Sequence, residues 1–278
     1  MMDKIDNQNI YQHCVESLQN FANRAGFSKF VVGLSGGIDC SLVSAICVDA
    51  FGSQNLHGVL MPGPYSSASS INDAKKLADN LSIQTSTIPI MPAFNAFEDM
   101  LSKACGGSLA GLARENTQAR CRMIILMALS NAHGWMLLNT GNRSEAMMGY
   151  CTLYGDSAGA FAPIGGLYKT QVYSLANWRN SIELERNGKL IIPVETIQKP
   201  PSAELSSGQQ DELSFGFSYK QLDIVLKKYF DDNLDVQQIF VDGLQDSDIK
   251  NIISKAKGFE YKRKIAPDYP KLSDIQHM

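Results

Sequence analysis

The chain has 278 residues, of which 44% are hydrophobic and 19% are charged, and its formal net charge is −3. This length can bury a full hydrophobic core, and the composition is that of an ordinary globular domain. The slightly negative charge argues against a nucleic-acid partner, and no apolar run approaches the ~20 residues of a membrane span. Residues 1–9 are polar and lack a signal-peptide core. We therefore expect a cytoplasmic protein folded as one domain over residues 1–278.

The six cysteines are spread along the chain without a Cys-x-x-Cys pair. Paired spacing is typical of zinc sites, and a high cysteine density is typical of disulfide scaffolds. We therefore expect reduced thiols and no cysteine metal site. The cysteines are Cys14, Cys40, Cys47, Cys105, Cys121 and Cys151.

In chain order, helical apolar patterns alternate with short apolar runs that are typical of strands. This alternation predicts an α/β protein with a Rossmann-like, doubly wound parallel sheet and helices on both faces. Ligands in such folds bind beyond the carboxyl ends of the strands. The predicted helices are 5–26, 38–51, 69–81, 93–104 and 114–133, and the predicted strands are 29–34, 56–61, 83–88 and 135–139.

After about residue 150 the pattern is weaker. Residues 198–216 are polar and contain Pro200 and Pro201, which predicts a mobile loop that could close over a substrate. The C-terminal segment 219–278 is predicted to be helical over 219–258 and extended over 259–270.

One glycine turn follows the first predicted strand and directly precedes a helix pattern. It reads Ser35-Gly36-Gly37-Ile38-Asp39. Such a turn presents backbone N–H groups to a phosphate, and Asp39 can hold a metal ion that bridges to it. The alternative is an ordinary strand-to-helix turn. A second glycine turn, Thr140-Gly141-Asn142, follows the last predicted strand, so we expect both turns to face one site.

The order Ser-Gly-Gly-Ile-Asp resembles the pyrophosphate-binding loop of the N-type ATP pyrophosphatases, which cleave ATP between its α- and β-phosphates. Cys40 stands where those enzymes usually have serine, a change that weakens one contact at most. The resemblance implies ATP contacts along the whole loop. Its residues are Gly33, Leu34, Ser35, Gly36, Gly37, Ile38, Asp39, Cys40 and Ser41.

Further segments between about residues 10 and 266 make the chain similar to one family, NAD+ synthetase. That family converts deamido-NAD to NAD+: ATP adenylylates the nicotinate carboxylate, pyrophosphate leaves, and ammonia displaces AMP. The resemblance implies an adenine nucleotide α-hydrolase-like fold, a homodimer and Mg²⁺. The segments are 115–120, 140–145, 149–156, 162–164, 167–172, 199–205 and 261–263.

The resemblance assigns five residues to ATP and its metal. Asp39 and Glu145 resemble the family's magnesium carboxylates, Lys169 its phosphate-binding lysine, and Thr140 and Ser202 its ATP contacts. Each residue type also has a structural explanation: an acid favoured at a helix N-terminus, a solvated lysine, a helix cap and a turn residue.

The resemblance also assigns deamido-NAD contacts. Arg120 matches the family's arginine at the dinucleotide, although a structural ion pair is the alternative. Lys262 lies in a basic cluster that could instead be a solvated tail. Leu153 stands for a lysine, Ala160 for an aspartate and Tyr261 for a histidine, so this part of the substrate is expected to be held differently here.

Residues 121–129 of the long helix are apolar on nearly every face apart from Arg122. One sheet cannot cover all of that surface, but a second subunit can. This pattern agrees with the homodimer that the resemblance implies.

The nitrogen donor is predicted to be free ammonia, because the synthetase segments fill the chain and leave no room for a glutaminase domain. Residues 61–67 and 199–205, however, look closer to the synthetase domains of the glutamine-dependent enzymes, so a separate glutaminase partner stays open. Two other classes also stay open: a tRNA-modifying ATP pyrophosphatase, and a nucleotide-binding module without catalysis.

Overall fold

The computed structural model describes residues 7–271, and a four-stranded, all-parallel sheet lies at its centre. The strand order is β3-β2-β1-β4. Phe30 of β1 pairs with Leu56 on one side and with Met136 on the other. The predicted doubly wound parallel sheet is confirmed. The strands are β1 (Phe30–Gly33), β2 (Leu56–Leu60), β3 (Gln84–Thr87) and β4 (Met136–Leu137).

The predicted helices are present within a few residues of their expected bounds. Residues 5 and 6 of the first predicted helix lie outside the described part of the chain. The α-helices are α1 (Asn7–Ala25), α2 (Ile38–Phe51), α3 (Ala68–Leu81), α4 (Met91–Ser102), α5 (Gly111–His133), α6 (Arg143–Met148), α7 (Lys169–Asn187), α8 (Val194–Gln198), α9 (Asp211–Phe215), α10 (Tyr219–Leu226), α11 (Asp246–Gly258) and α12 (Glu260–Arg263).

Both faces of β1 are buried because successive side chains of a strand point to opposite sides. Phe30 and Val32 pack into a core cluster that includes buried residues of α1, α2 and α7. Val31 packs on the other face, in a cluster with residues of α4 and α5. Strands covered on both faces read as continuous apolar runs, which is why the sequence pattern identified β1.

The order of the strands places a crevice at the carboxyl ends of β1 and β4. The chain leaves β1 towards β2 and β3, and β4 lies on the other side of β1. The loops that follow β1 and β4, two neighbouring strands, therefore diverge from each other. The crevice between such loops is where ligands bind in open α/β sheets.

The C-terminal predictions needed two corrections. The predicted helix 219–258 is interrupted, because the chain is irregular between a π-helical turn at Lys227–Asp231 and α11, apart from a short 3-10 turn at Val236–Gln238. The prediction that 259–270 is extended is wrong for its first part, because Glu260–Arg263 form α12. Arg263 of α12 donates to the carbonyl oxygens of Ala146 and Met147, a tertiary contact that the local sequence does not reveal.

Within residues 7–271, we find no helix with the length and apolar character needed to cross a lipid bilayer.

Candidate active site

The turn after β1 has the geometry of an anion cradle. Gly36 has a φ of 77°, and a Cβ at this position would lie 2.1 Å from the carbonyl oxygen of Ser70. Only glycine fits both constraints. α2 begins at Ile38, and its N-cap Gly37 provides no side-chain cap. The first N–H groups of α2 therefore have no side-chain cap. They lie at the carboxyl end of β1, as the N–H groups do in sites that bind phosphate.

The Cys40 thiol folds back into this turn. Its Sγ donates to the carbonyl oxygen of Gly37 at 3.1 Å and lies 3.3 Å from Oγ of Ser35. Ser41 Oγ donates to the same Gly37 carbonyl at 2.8 Å. Cys40 and Ser41 therefore support the shape of the turn from inside, while Ser35 remains at its exposed surface.

The second turn meets the first through Asn142. Its amide oxygen accepts from the backbone N–H of Glu145, and the Glu145 carboxylate accepts from the Asn142 N–H, which completes a capping box on α6. The Asn142 amide nitrogen donates to Asp39 Oδ1 at 2.9 Å. Asn142, and not Thr140, is the helix cap. The two glycine turns thus converge on one site.

Lys169 lies between the two carboxylates, at the start of α7. Its Nζ is 2.5 Å from Asp39 Oδ2 and 3.1 Å from Glu145 Oε1. Lys169 is 1% exposed, so it is not a solvated helix lysine. Burial lowers its pKa, but the two carboxylates outweigh burial and the pKa lies above the ordinary lysine value. Burial raises the pKa of Glu145 to about 8, against the opposing effect of Lys169.

These side chains fit a phosphate-bound magnesium ion better than a cage built only from protein ligands. Residues 7–271 contain no group of three or more His, Cys, Asp or Glu side chains that could hold a metal ion. Mg²⁺ at nucleotide sites is commonly bound by one or two carboxylates, with phosphates and water completing its coordination. Asp39 and Glu145 supply two carboxylates, which matches that donor set.

A cavity of about 760 Å³ opens above the two turns. The loop residues Gly33 to Cys40, apart from Gly36, line it together with Thr140, Glu145, Lys169 and Ser202. The predicted ATP residues are therefore brought together, with the exception of Ser41 and Gly36, which support the turn from behind. Their contact with ATP stays a prediction.

The segment predicted as a mobile loop lies along one side of this cavity. Glu204 accepts hydrogen bonds from the N–H and Oγ of Ser67 and from Oγ of Ser70, at 2.7–3.2 Å. Lys199 Nζ donates to Asp73 Oδ2 at 3.0 Å. Glu204 adopts a φ of 49°, which is unusual for a residue with a side chain. These contacts tie the segment to the N-terminal half of α3, and its mobility stays a prediction.

The predicted dinucleotide residues are scattered. Only Lys262 lines the cavity, where its Nζ donates to the carbonyl oxygens of Gly149 and Cys151 at 2.7 Å each, so it is not a solvated tail. Arg120 is exposed, and its Nε donates to the Leu153 carbonyl; it forms no ion pair within residues 7–271. Ala160 packs beside the core, and Tyr261 is 54% exposed.

Several charged residues at the cavity were not predicted as site residues, Arg122 and Asp211 among them. Arg122 of α5 is half-buried, and its Nε donates to the Met61 carbonyl at 3.1 Å. In the sequence, Arg122 is marked only as a lone cation in an apolar helix. Asp211 of α9 is 3% exposed and lines the same cavity. It lies within the polar segment 198–216, which the sequence predicts to be a mobile loop.

A parallel sheet with a glycine phosphate turn and a carboxylate pair at its switch point defines an α/β nucleotide-binding protein of the adenine nucleotide α-hydrolase-like fold. The chain belongs to the NAD synthase family, whose family model matches residues 10–266. The family resemblance that the sequence motifs indicated is therefore confirmed.

Similar proteins extend this result. A glutamine-dependent NAD(+) synthetase of Thermotoga maritima is 42% identical over 266 residues, which are 96% of this chain and 45% of that protein. Among solved structures, an NMN synthetase from Francisella tularensis has a TM-score of 0.77 at 28% identity, covering 95% of this chain and 98% of that one. An NH3-dependent NAD synthetase from Campylobacter jejuni has a TM-score of 0.73 at 28% identity, covering 94% and 97%. The chain spans about half the length of the curated relatives it matches.

Proposed function

We propose that this chain catalyses the ATP-dependent amidation of deamido-NAD to NAD+. The nicotinate carboxylate attacks the α-phosphorus of ATP, pyrophosphate leaves, and ammonia then displaces AMP from the acyl adenylate. The observation that carries the proposal is the convergence of the Gly36 turn, Asp39, Glu145 and Lys169 at one cavity. A lone nucleotide-binding module has no need of a buried cation held between two carboxylates.

Each residue has a defined task in this reaction. A carboxylate that attacks a phosphorus surrounded by anionic oxygens needs charge neutralisation and alignment more than covalent help. The Gly36 turn and the start of α2 hold the pyrophosphate oxygens. The Lys169 ammonium faces the phosphate oxygens and balances their charge. Mg²⁺, when bound, supplies further charge neutralisation, and Asp39 and Glu145 are the residues that hold it.

Ammonia is proposed as the direct nitrogen donor of this domain. The relatives that share about 42% identity are named glutamine-dependent, and the chain corresponds to about half of each. A synthetase unit can accept ammonia from solution or from a glutaminase, so the glutaminase partner remains the alternative source. The tRNA-modifying alternative receives no support from the matching family.

A second candidate substrate is the corresponding mononucleotide. The solved structure named NMN synthetase matches this chain over 98% of the length of that protein. Arg120, Leu153, Ala160 and Tyr261, which were expected to contact the dinucleotide, do not line the cavity. Comparison of deamido-NAD with nicotinate mononucleotide as substrates decides between the two.

A homodimer is proposed on the basis of α5. Ile124 and Met127 are 57% and 39% exposed, and Leu112 at its N-terminal end is 73% exposed. Removal of such side chains from water favours association by roughly 25 cal/mol per Å². Light scattering of the purified chain tests this expectation.

The central experiment measures NAD+ formed by the purified chain with ATP, Mg²⁺ and deamido-NAD, and with ammonium or glutamine as the nitrogen source. Turnover is expected with ammonium and not with glutamine. Asp39→Asn is expected to lower turnover by about 100-fold or more, because a charge that stabilises the transition state is lost. Turnover of Asp39→Asn equal to that of the unchanged protein would refute the metal assignment.

A further inference from the structure

The buried carboxylate of Asp223 connects two helices that carry residues of the candidate active site. Asp223 belongs to α10, is 4% exposed and does not line the cavity. Its Oδ2 accepts a hydrogen bond from the backbone N–H of Thr170 at 2.8 Å, and its Oδ1 accepts one from the Ser144 hydroxyl. Both oxygens of this carboxylate therefore have a donor, one from α7 and one from α6.

Ser144 extends this contact to the backbone of Lys169. The Ser144 Oγ that donates to Asp223 also accepts a hydrogen bond from the Lys169 N–H at 2.8 Å, and Ser144 is buried. Ser144 directly precedes Glu145 in α6, and Lys169 is the first residue of α7. One carboxylate of α10 thus joins the two segments that present the Lys169 ammonium and the Glu145 carboxylate to each other.

The start of α7 depends on this contact because the helix has no side-chain cap of its own. The N-cap residue Tyr168 makes no side-chain cap hydrogen bond, and its hydroxyl donates to Asp231 instead. The first N–H groups of a helix have no partner within it, and they carry a partial positive charge. Ser144 and Asp223 each accept from one of these groups, and the negative charge of Asp223 suits that end of the helix.

An ionised carboxylate is the group that fits this position. Burial has the largest effect on Asp223 and raises its pKa, whereas the hydrogen bonds from Ser144 and Thr170 act in the opposite direction. Both neighbours are donors towards Asp223, so a proton on either carboxyl oxygen would displace one of them. An amide has a single oxygen, so it would leave one of the two buried donors without an acceptor. Asp223→Asn is therefore expected to disturb the contact while it keeps the volume of the side chain.

We propose that Asp223 is a positioning residue that holds the Lys169 ammonium against Glu145 at the wall of the cavity; this inference rests on the proposed function. Lys169 Nζ lies 3.1 Å from Glu145 Oε1, and that distance depends on how the starts of α6 and α7 are placed. Attack of a carboxylate on a phosphate needs the neutralising cation in a fixed position while pyrophosphate leaves. Asp223 does not reach the cavity, so it acts through Ser144 and through the backbone of α7.

The test is Asp223→Asn, assayed at a temperature where circular dichroism shows the variant to be folded. Exchange of labelled pyrophosphate into ATP, with deamido-NAD present, reports the adenylylation step. Its kcat is expected to fall by about tenfold or more while the KM for ATP stays within about threefold, because alignment in the transition state is lost and the cavity is kept. Ser144→Ala breaks the same link and is expected to show a similar fall. The double variant is expected to lie within about twofold of the weaker single variant, because both changes remove one contact.

Asp49→Asn is the matched control. Asp49 also holds α7, through an ion pair with Arg179 at 2.7 Å, but it does not line the cavity and it contacts the helix further from Lys169. This variant is expected to have a lower Tm and an unchanged kcat for exchange. A folded Asp223→Asn with the kcat of the unchanged protein overturns the proposal, as does an equal fall in Asp49→Asn or a double variant whose losses multiply. If Asp223→Asn does not fold, an unchanged kcat in Ser144→Ala overturns the proposal in its place.

A crystal structure of Asp223→Asn, or of Ser144→Ala, separates this inference from the proposed function. The distance from Lys169 Nζ to Glu145 Oε1 is expected to exceed about 3.5 Å, which is beyond hydrogen-bond distance. A distance that remains at 3.1 Å would refute the positioning role, whatever reaction the protein catalyses. Absence of NAD+ synthesis and of pyrophosphate exchange in the unchanged protein would instead refute the proposed function.

Discussion

Replacement of Lys169 by methionine tests the charge balance on which the site is built. Lys169 is 1% exposed and lies within 3.1 Å of both Asp39 and Glu145. Methionine fills a similar volume but leaves two carboxylates facing each other without a cation. Breaking a buried ion pair on one side typically costs about 3–5 kcal/mol. The carboxylates are each 18% exposed, so we expect a loss of about 3 kcal/mol, near the lower end of that range.

Urea unfolding followed by circular dichroism measures this loss. The double variant Glu145→Gln with Lys169→Met also removes one of the two carboxylate charges that repel each other. It is therefore expected to be more stable than Lys169→Met alone. Lys76→Met is the control, because Lys76 forms an exposed ion pair with Glu195 and is expected to change little. A Lys169→Met variant as stable as the unchanged protein, or a double variant less stable than the single one, would show that the carboxylates do not depend on this cation.

Two further predictions concern the cavity walls. Gly36→Ala is expected to abolish ATP binding in calorimetry and to cost about 1–2 kcal/mol or more, because it combines a left-handed φ with a contact of 2.1 Å to a carbonyl oxygen. Gly134→Ala, with a φ of 66° and no atom within 4 Å of the new Cβ, is the control and is expected to retain ATP binding. Glu204→Ala removes three hydrogen bonds to Ser67 and Ser70, so we expect faster proteolysis within 198–216. The KM for ATP is expected to rise several-fold, which corresponds to a loss of roughly 1 kcal/mol of binding free energy. Equal proteolysis rates would show that Glu204 does not hold the segment.

Much of the fold was predictable because the pattern that defines it is local. β1 and α2 are apolar on nearly all sides, and each is bounded by glycine, so their bounds agree closely with the prediction. α12 was missed because the contacts of Arg263 with α6 carbonyls support it, and no local spacing encodes a contact over 117 residues of sequence. Tertiary context overrode local preference there.

The residues of the candidate site are also of two kinds: those that a local sequence marker reveals and those that only tertiary contacts bring into the site. Asp39 and Glu145 were predicted to converge because each follows a glycine turn at the end of a strand, and neighbouring parallel strands end at the same edge of the sheet. Asp211 had no such marker. Its carboxylate accepts a hydrogen bond from Tyr219 of the next helix, a tertiary contact that no local spacing reveals.

The distribution of charge explains why the cavity suits a reaction between anions. Asp39, Glu145 and Asp211 place three carboxylates around one lysine, so the region has excess negative charge when all of them are ionised. The phosphates of free ATP would add to that excess, and Coulomb repulsion is strong where water is displaced. Phosphates are therefore expected to be bound here together with cations. Burial is the main cause of the raised pKa of Glu145, and the like charges of Asp39 and Asp211 add to it. An arrangement that is electrostatically unfavourable alone becomes balanced as its cationic and anionic ligands bind together.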